Sequence, residues 1–414
     1  MPRSIITAFF DDLRSSSVRD RIFVLFWTLG PFIYLIERTP ADAWLTLVGI
    51  GFIIHSMVTN SWQWTQTGWV RLFLGFWLIM LITSALSSNP SYALGEAIAW
   101  IRFPLYAAAC VFWIGINRTR LNMMMLMMTL AAITMMAILG VEFVKVVQQG
   151  NSIGSRLGGP YGDPIPGSFL GKAMLPLAVV MSALAMSRPI ASSLLPLVLA
   201  GCLVLFTIFT GERINSLLIA IAVFLASFAW KFDLRRIFLY GILAVALLFT
   251  TIQSIPTLSD RYDLARHSET SNYFESPYWF SVRPGIVAAL EHPVTGIGVG
   301  MHRLECATIS HGPEWLPGVN NCHPHPHQFY VQLIEETGLL GLLAALAAIG
   351  TLVRATIVNT HRSSIYARLA WIPVTMVFFP QPSADFFGQW NNLFLWFAVG
   401  LALAMARDTH SDHS

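Results

Sequence analysis

Residues 320–350 read NNCHPHPHQFYVQLIEETGLLGLLAALAAIG. Three histidines, His323, His325 and His327, alternate with Pro324 and Pro326, and the chain then turns at once into an apolar run. Proline holds the residue before it in extended backbone, so the histidine run is a stiff lead-in to a hydrophobic helix. The densest group of titratable side chains in the chain therefore stands where a membrane-length segment begins.

Working outward, the rest of the sequence has the same character. Of 414 residues, 55% are hydrophobic and only 11% charged, with mean hydropathy +0.61, far from the mixture of a soluble domain, which has roughly 25% charged residues. The fold class expected is an all-α polytopic membrane protein. A helix needs roughly 17 to 25 apolar residues to cross the hydrocarbon core. Twelve stretches qualify, near 22–36, 43–58, 69–87, 92–116, 121–147, 168–187, 190–210, 214–230, 236–253, 327–352, 364–381 and 387–406. The organisation expected is nine transmembrane helices over 1–253, a large external loop over 254–326 with short helices of its own, three more transmembrane helices over 327–406, and a tail from 407 to 414.

The N-terminus is polar through Arg21 and shows no cleavable leader pattern. With that terminus in the cytoplasm, 15 of the 25 Lys and Arg fall on the cytoplasmic side, nearly all in short connections, where the positive-inside rule acts. Both termini are thus expected in the cytoplasm. Two external connections are long: 148–167, rich in Gly and Pro, and 254–326. In the second, Tyr278 to Glu291 reads as a helix ended by His292-Pro293, and the glycines of TGIGVGMHRLE read as a tight turn packed on the membrane domain. Cys110 and Cys202 fall inside spans. Cys306 and Cys322 share the external loop, where either a disulfide or a zinc site with His323 or His325 is open.

His327 is the candidate base. A position at the start of a helix exposes it to the positive end of the macrodipole, which favours the neutral, proton-accepting imidazole; the alternative is a helix cap. Arg213, in FTGERINS, Arg283, in the loop helix, and Arg156 and Lys172, flanking the Gly-Pro-rich loop, are the candidate phosphate ligands, because guanidinium matches phosphate oxygens in pairs. For each, an ion pair with a carboxylate such as Glu212 or Glu291 is the competing reading. Arg102, with Glu96, lies inside a span near Pro104 and suits either a structural or a lipid-phosphate role. His325 is a candidate helper to His327. No Asp-x-Asp motif occurs on the external side, where Asp163, Asp260 and Asp263 are the nearest acids. Metal-independent chemistry is therefore expected.

HPHQFYVQLIEETGLLGL resembles the signature of the O-antigen ligase and polymerase superfamily, with His327, Tyr330, Glu336, Gly338 and Gly341 in the matching places and Gln328 where that signature has Asn. RPGIVAALEHPVTGIGVGMHRLE and FTGERINSLL are similar to the family's two arginine segments, which places Arg283 and Arg213. The resemblance implies a class C glycosyltransferase fold and an inverting transfer without cofactor. The donor it implies is O antigen on undecaprenyl diphosphate, and the acceptor is lipid A-core. The reaction would occur at the periplasmic face of a bacterial inner membrane. In those terms His327 would activate the acceptor hydroxyl and Arg213 with Arg283 would hold the diphosphate. Glu336 would support the site. Membrane lipids are the surrounding partner, and no nucleic acid is expected.

Related alternatives are an O-antigen polymerase, for which Arg156 to Gly167 fits an Arg-x10-Gly spacing, and a protein oligosaccharyltransferase. A transporter of lipid-linked glycan is a rival of another class, but transport sites lie near the midplane, whereas most of the charges here lie at the external boundary.

Overall fold

The computed structural model describes residues 4–148, 156–187, 189–230, 233–254, 259, 273–309, 311–358, 360–379 and 384–407. Asp260 and Asp263 lie outside them. The described residues are helical, with no strand among them. The main helices are α1 (Arg38–Thr59), α2 (Gly68–Ala85), α3 (Pro90–Trp100), α4 (Arg102–Ala109), α5 (Arg118–Gln148), α6 (Leu175–Ser187), α7 (Ile190–Phe209), α8 (Arg213–Trp230), α9 (Pro277–Glu291), α10 (Phe329–Ile357) and α11 (Gln389–Arg407). Seven helices among the described residues are long and apolar enough to cross a membrane, or eight if the segments Pro166–Ala173 and Leu175–Ser187, bent by 55° at Met174, form one broken span. The chain is a multi-pass membrane protein.

Those eight correspond to eight of the twelve apolar stretches. The other four are helical without meeting the same measure. The first is split into Val18–Thr28 and Gly30–Ile36, with Pro31 opening the second piece. The stretch at 236–253 forms Leu234–Ser254, several of whose side chains lie outside the described set. That near 364–381 is two short helices, Ile365–Leu369 and Trp371–Phe378, and α11 opens on the polar Gln389 and Asn391.

Lipid-length helices leave apolar side chains on the outside, and Leu47, Ile50, Ile54, Leu339, Leu340 and Leu343 are all exposed. The interior is held by large aromatics whose polar tips are satisfied. The Trp27 indole donates to the Tyr106 hydroxyl at 3.3 Å, Tyr34 to the Leu393 carbonyl at 2.9 Å and Trp44 to the Phe26 carbonyl at 2.8 Å. Buried Tyr and Trp need such partners.

The element that positions the site is a break in α10. Gly338 has φ 66° and ψ −177°, outside the helical region. Ordinarily the carbonyls of Glu335 and Glu336 would accept from residues four places on. Here they accept from Ile297 N at 2.9 Å and Gly298 N at 3.0 Å, while Leu339 N turns to the Pro293 carbonyl at 2.9 Å. The expected turn at 295–300 is thus stitched into the helix, its backbone replacing the missing helical bonds. The approach is close: a Cβ on Gly338 would lie 2.0 Å from the Val294 carbonyl oxygen, and one on Gly296 would lie 2.6 Å from that of Glu335. The break also divides labour along α10. Phe329, Leu333, Glu335, Glu336 and Thr337 before it are buried, whereas Leu339 and Leu340 after it are exposed. Leu339–Ile357 alone, at 1.5 Å per residue, spans about 28 Å, enough for the hydrocarbon core.

Two glycines in the same helix therefore respond oppositely to alanine. Gly338→Ala loses roughly 1–3 kcal/mol from backbone strain alone, with the Val294 clash added. Gly350, in the lipid-side half with open space where a Cβ would go, gains roughly 0.5–1 kcal/mol as Ala. Thermal melts of the two variants in detergent check this, and equal melting temperatures would sink the account of the break.

Candidate active site

His327 sits just before α10, whose N-cap is Gln328; the Gln328 side chain accepts from Val331 N at 2.7 Å. The sequence places His327 in the first turn. In the structure it is instead the residue before the cap, with φ 54°. A left-handed non-glycine residue costs roughly 1–2 kcal/mol, so the conformation persists because the prolines and the cap determine it from both sides. That turn folds the histidine run back on itself. The His325 and His327 ring centroids are 4.3 Å apart and those of His323 and His327 are 5.0 Å apart.

Burial drives the His327 imidazole down to about 4, and the neighbouring His325 and His323 push in the same direction. His327 is therefore neutral at physiological pH, with desolvation as the leading cause. His325 is lowered as well, again by burial, with Asp385 working against it. The Asp385 carboxylate lies 3.8 Å from His325 Nδ1 and 4.0 Å from the Arg303 guanidinium.

Asp385 is the hub that sequence reasoning passed over. Its Oδ1 accepts from Gln332 Nε2 at 2.8 Å and from Phe387 N at 3.1 Å. Gln332 also donates to Glu336 at 3.3 Å and accepts from Phe386 N at 2.7 Å. Glu336, buried, takes a second bond from Gly300 N at 2.6 Å. A chain of bonds thus runs from the glycine turn through Glu336 and Gln332 to Asp385, beside His325. One turn away, His302 Nδ1 and Glu335 Oε1 meet at 2.6 Å, both fully buried, which requires a proton between them. The only sequence signal for Asp385 was a lone acid between two apolar stretches, and nothing local marks His302 or Gln332 as partners of residues 30 or more positions away.

Of these groups Asp385, Arg303 and His325 border a cavity of about 720 Å³, with His327 behind His325 and outside the lining. Of the residues expected from sequence, Lys172, Arg102 and His325 line it, joined by Arg38, Arg303 and Asp385, with Trp100, Phe387 and Trp390 as apolar wall. Lys172 is 5% exposed, lies in a π-helical turn over Phe169–Ala173 and donates to Asn391 Oδ1 at 2.7 Å; such turns are frequent at functional sites. Arg102 pairs with Asp42 of α1 at 2.8 Å, and Glu96 lines the cavity.

The remaining candidates stand apart from the cavity lining. Glu212 accepts from Gly167 N at 2.9 Å, Ser168 Oγ at 3.2 Å and the Asn215 amide. Burial raises the Glu212 carboxyl, with Lys172 and Arg156 among the charges opposing that shift, so all three belong to one neighbourhood. Arg213 follows Glu212, and its Nε is buried without a hydrogen-bond partner. Arg156 is exposed. Arg283 is 3% exposed and spends its guanidinium on the loop: Nε donates to Pro317 O at 3.1 Å, and the terminal nitrogens to Leu316 O at 3.1 Å, Asn320 Oδ1 and His311 O. In this conformation it organises residues 311–320 instead of facing the cavity.

Cys306 and Cys322 are joined in a disulfide with Cα atoms 5.6 Å apart. That removes the zinc alternative, which needs their thiolates. Closing a loop of this length stabilises by about 3 kcal/mol in the chain-entropy view, and it ties the histidine run to the short helix His302–Glu305. Among the described residues no group of three or more His, Cys, Asp or Glu is placed to hold a metal ion.

Residues 195–346 match the O-antigen ligase family. The matched stretch takes in Arg213, Arg283, the glycine turn, His327 and Gly338, and leaves out Lys172, Arg102 and Asp385. No curated protein matches the chain. The matched stretch thus includes His327 and the broken helix, while most of the cavity wall comes from the rest of the chain.

A neutral buried His327 has a signature. Its folded value, about 4, lies below the ordinary 6.5. The folded state consequently binds fewer protons than the unfolded one between those limits, and the stability this confers is complete above 6.5 and lost as pH falls toward 4. Acylation of His327 by diethyl pyrocarbonate, read by mass spectrometry, should keep its full rate down to about pH 5; a midpoint near 6.5 would contradict the burial argument. Arg283→Ala should raise amide hydrogen exchange over 311–320 and leave α2 protected. Unchanged exchange in the loop would show that the four bonds do not hold it.

Proposed function

We propose that the protein is a glycosyltransferase that moves an oligosaccharide from undecaprenyl diphosphate to a hydroxyl of lipid A-core at the periplasmic face of a bacterial inner membrane, completing lipopolysaccharide. The observation that carries this reading is a neutral His327 whose ring lies 4.3 Å from that of His325, which lines a cation-bordered cavity, inside the stretch that matches the O-antigen ligase family. Arg38, Arg303, His325 and Asp385 of the cavity come from connections that the distribution of Lys and Arg assigns to one side of the membrane, and Lys172 lies near the start of its span on that side. A disulfide in the same region suits an oxidising compartment.

In this reading His327 takes the proton of the acceptor hydroxyl as its oxygen attacks the anomeric carbon. The bond from that carbon to the diphosphate oxygen breaks, and the electron pair leaves with the diphosphate. Lys172, Arg102 and Arg303 face the growing negative charge, and Arg213 with Arg156 adds positive charge behind them. Preorganised cations in a partly desolvated site are the largest source of such stabilisation, and they do the work that a divalent ion does elsewhere. Asp385 is engaged by Gln332 and Phe387 N, which holds it as an orienting acceptor for His325. Attack by the acceptor oxygen on the anomeric carbon as the diphosphate leaves makes the transfer a single displacement with inversion.

The test is a vesicle assay with purified protein, lipid-linked O antigen and lipid A-core. Wild type should form ligated product with or without EDTA, and NMR of that product should show inverted anomeric configuration. His327→Ala and His327→Asn should each lose at least about 100-fold in rate, the low end of general-base contributions, while Asn, which tolerates the left-handed conformation, keeps the melting temperature closer to wild type. Product that forms only when a second lipid-linked glycan replaces lipid A-core would reassign the acceptor. Full activity of His327→Ala would remove it as the base.

A further inference from the structure

An apolar groove of about 470 Å³ lies between α1 and the α3–α4 pair. Thr46, Gly49 and Ile50 form one side, and Ile98, Ile101 and Leu105 the other. At Gly49 the two walls come close, since a Cβ added there would lie 3.5 Å from Leu105 Cβ and 3.6 Å from the Arg102 carbonyl oxygen. Ile50 and Ile98 are 50% and 55% exposed, on a flank where Leu47 and Ile54 are also exposed. The groove thus opens toward the lipid side of the bundle.

Its other end runs into the polar cavity. Ala99 and Arg102 line both. At that junction Arg102 bonds to Asp42 through Nε at 2.8 Å and stacks over Phe103, its carbon Cζ 4.4 Å from the ring centroid, while Arg38 lines the cavity beside it. Around the cavity four cations, Arg38, Arg102, Lys172 and Arg303, face two carboxylates, Glu96 and Asp385. A polar space with excess positive charge that opens into one lipid-facing apolar channel complements a molecule with an anionic head and a single apolar tail.

We propose that this groove seats the head-proximal isoprene units of the polyprenyl diphosphate donor, with Arg102 at the point where tail becomes diphosphate. The proposal rests on the glycosyltransferase reading above and adds the route by which the donor enters. One channel between two helical elements takes one chain, as a polyprenyl lipid presents; a diacyl phospholipid presents two. The tail would leave on the α1 flank. The leaving diphosphate would then sit toward Arg102 and Lys172, with the acceptor approaching from the His325 and His327 side.

The experiment uses the full chain in phosphatidylethanolamine–phosphatidylglycerol nanodiscs and a polyprenyl diphosphate carrying a diazirine on its first isoprene unit. Adducts should map to 46–50 and 98–105. Excess unlabelled polyprenyl diphosphate should suppress them, and excess phosphatidylglycerol should not. Thr46→Trp, or Ile98→Trp from the opposite wall should the first not fold, should lower adduct yield at least fivefold and raise the donor KM more than it lowers kcat. Adducts elsewhere, equal competition by phosphatidylglycerol, or tryptophan variants with unchanged yield and KM would each overturn the proposal. Crosslinking reads binding without transfer, so the two readings fail separately. Transfer with no groove adducts removes the groove alone, whereas groove adducts with no transfer to any acceptor keep the groove and remove the transferase.

Discussion

The structure depends on one exchange of hydrogen bonds. Where α10 breaks at Gly338, the carbonyls of Glu335 and Glu336 are taken up by Ile297 N and Gly298 N of the glycine turn. Unpaired backbone groups are costly in a buried setting, so the break and the turn each exist because the other supplies the missing partner. The pairing sets the start of α10 against the turn at 295–300 and fixes the direction in which the histidine run approaches. It also frees Phe329–Thr337 from the membrane-crossing half, so that Glu335, Glu336 and Gln332 become part of a buried polar network. In hydrocarbon the same side chains would be costly.

From that junction the site is assembled by tethers of different kinds. The disulfide holds the histidine run to the His302 segment, Arg283 gathers the carbonyls of the intervening loop, and Gln332 bridges Glu336 to Asp385. The consequence for chemistry is selective desolvation. The imidazole of His327 is buried enough to stay neutral, while the cations border a cavity and have polar partners, as Lys172 has in Asn391 and Arg102 in Asp42. A neutral imidazole and a group of cations coexist because their surroundings differ over a short distance.

The apolar stretches were legible because hydrophobicity over membrane length is a summed property that survives local detail. Seven of the twelve, or eight with the bent pair taken as one span, appear among the described residues as helices long and apolar enough to cross a membrane, and the helix ended by His292-Pro293 runs over Pro277–Glu291. His327 and the glycine turn were legible because each breaks its local pattern. The bend at Met174 was not, since a π-turn leaves no periodic trace in so apolar a run. Nor could spacing separate Arg283 from Lys172. Both are cations near loops, yet Lys172 faces a cavity and Arg283 faces carbonyls of its own loop, and that depends on which acceptors lie within reach.

By itself the sequence determined that this chain is a multi-pass membrane protein with a polar centre at the head of α10, because transfer of apolar side chains into lipid and the conformational limits of Pro and Gly act residue by residue. Only the tertiary structure decided which charges share that centre. Asp385, Lys172 and Arg102 lie far apart along the chain and come together with His325 through packing of helix ends. Electrostatic partnership falls with distance in space, and distance in space is a property of the fold.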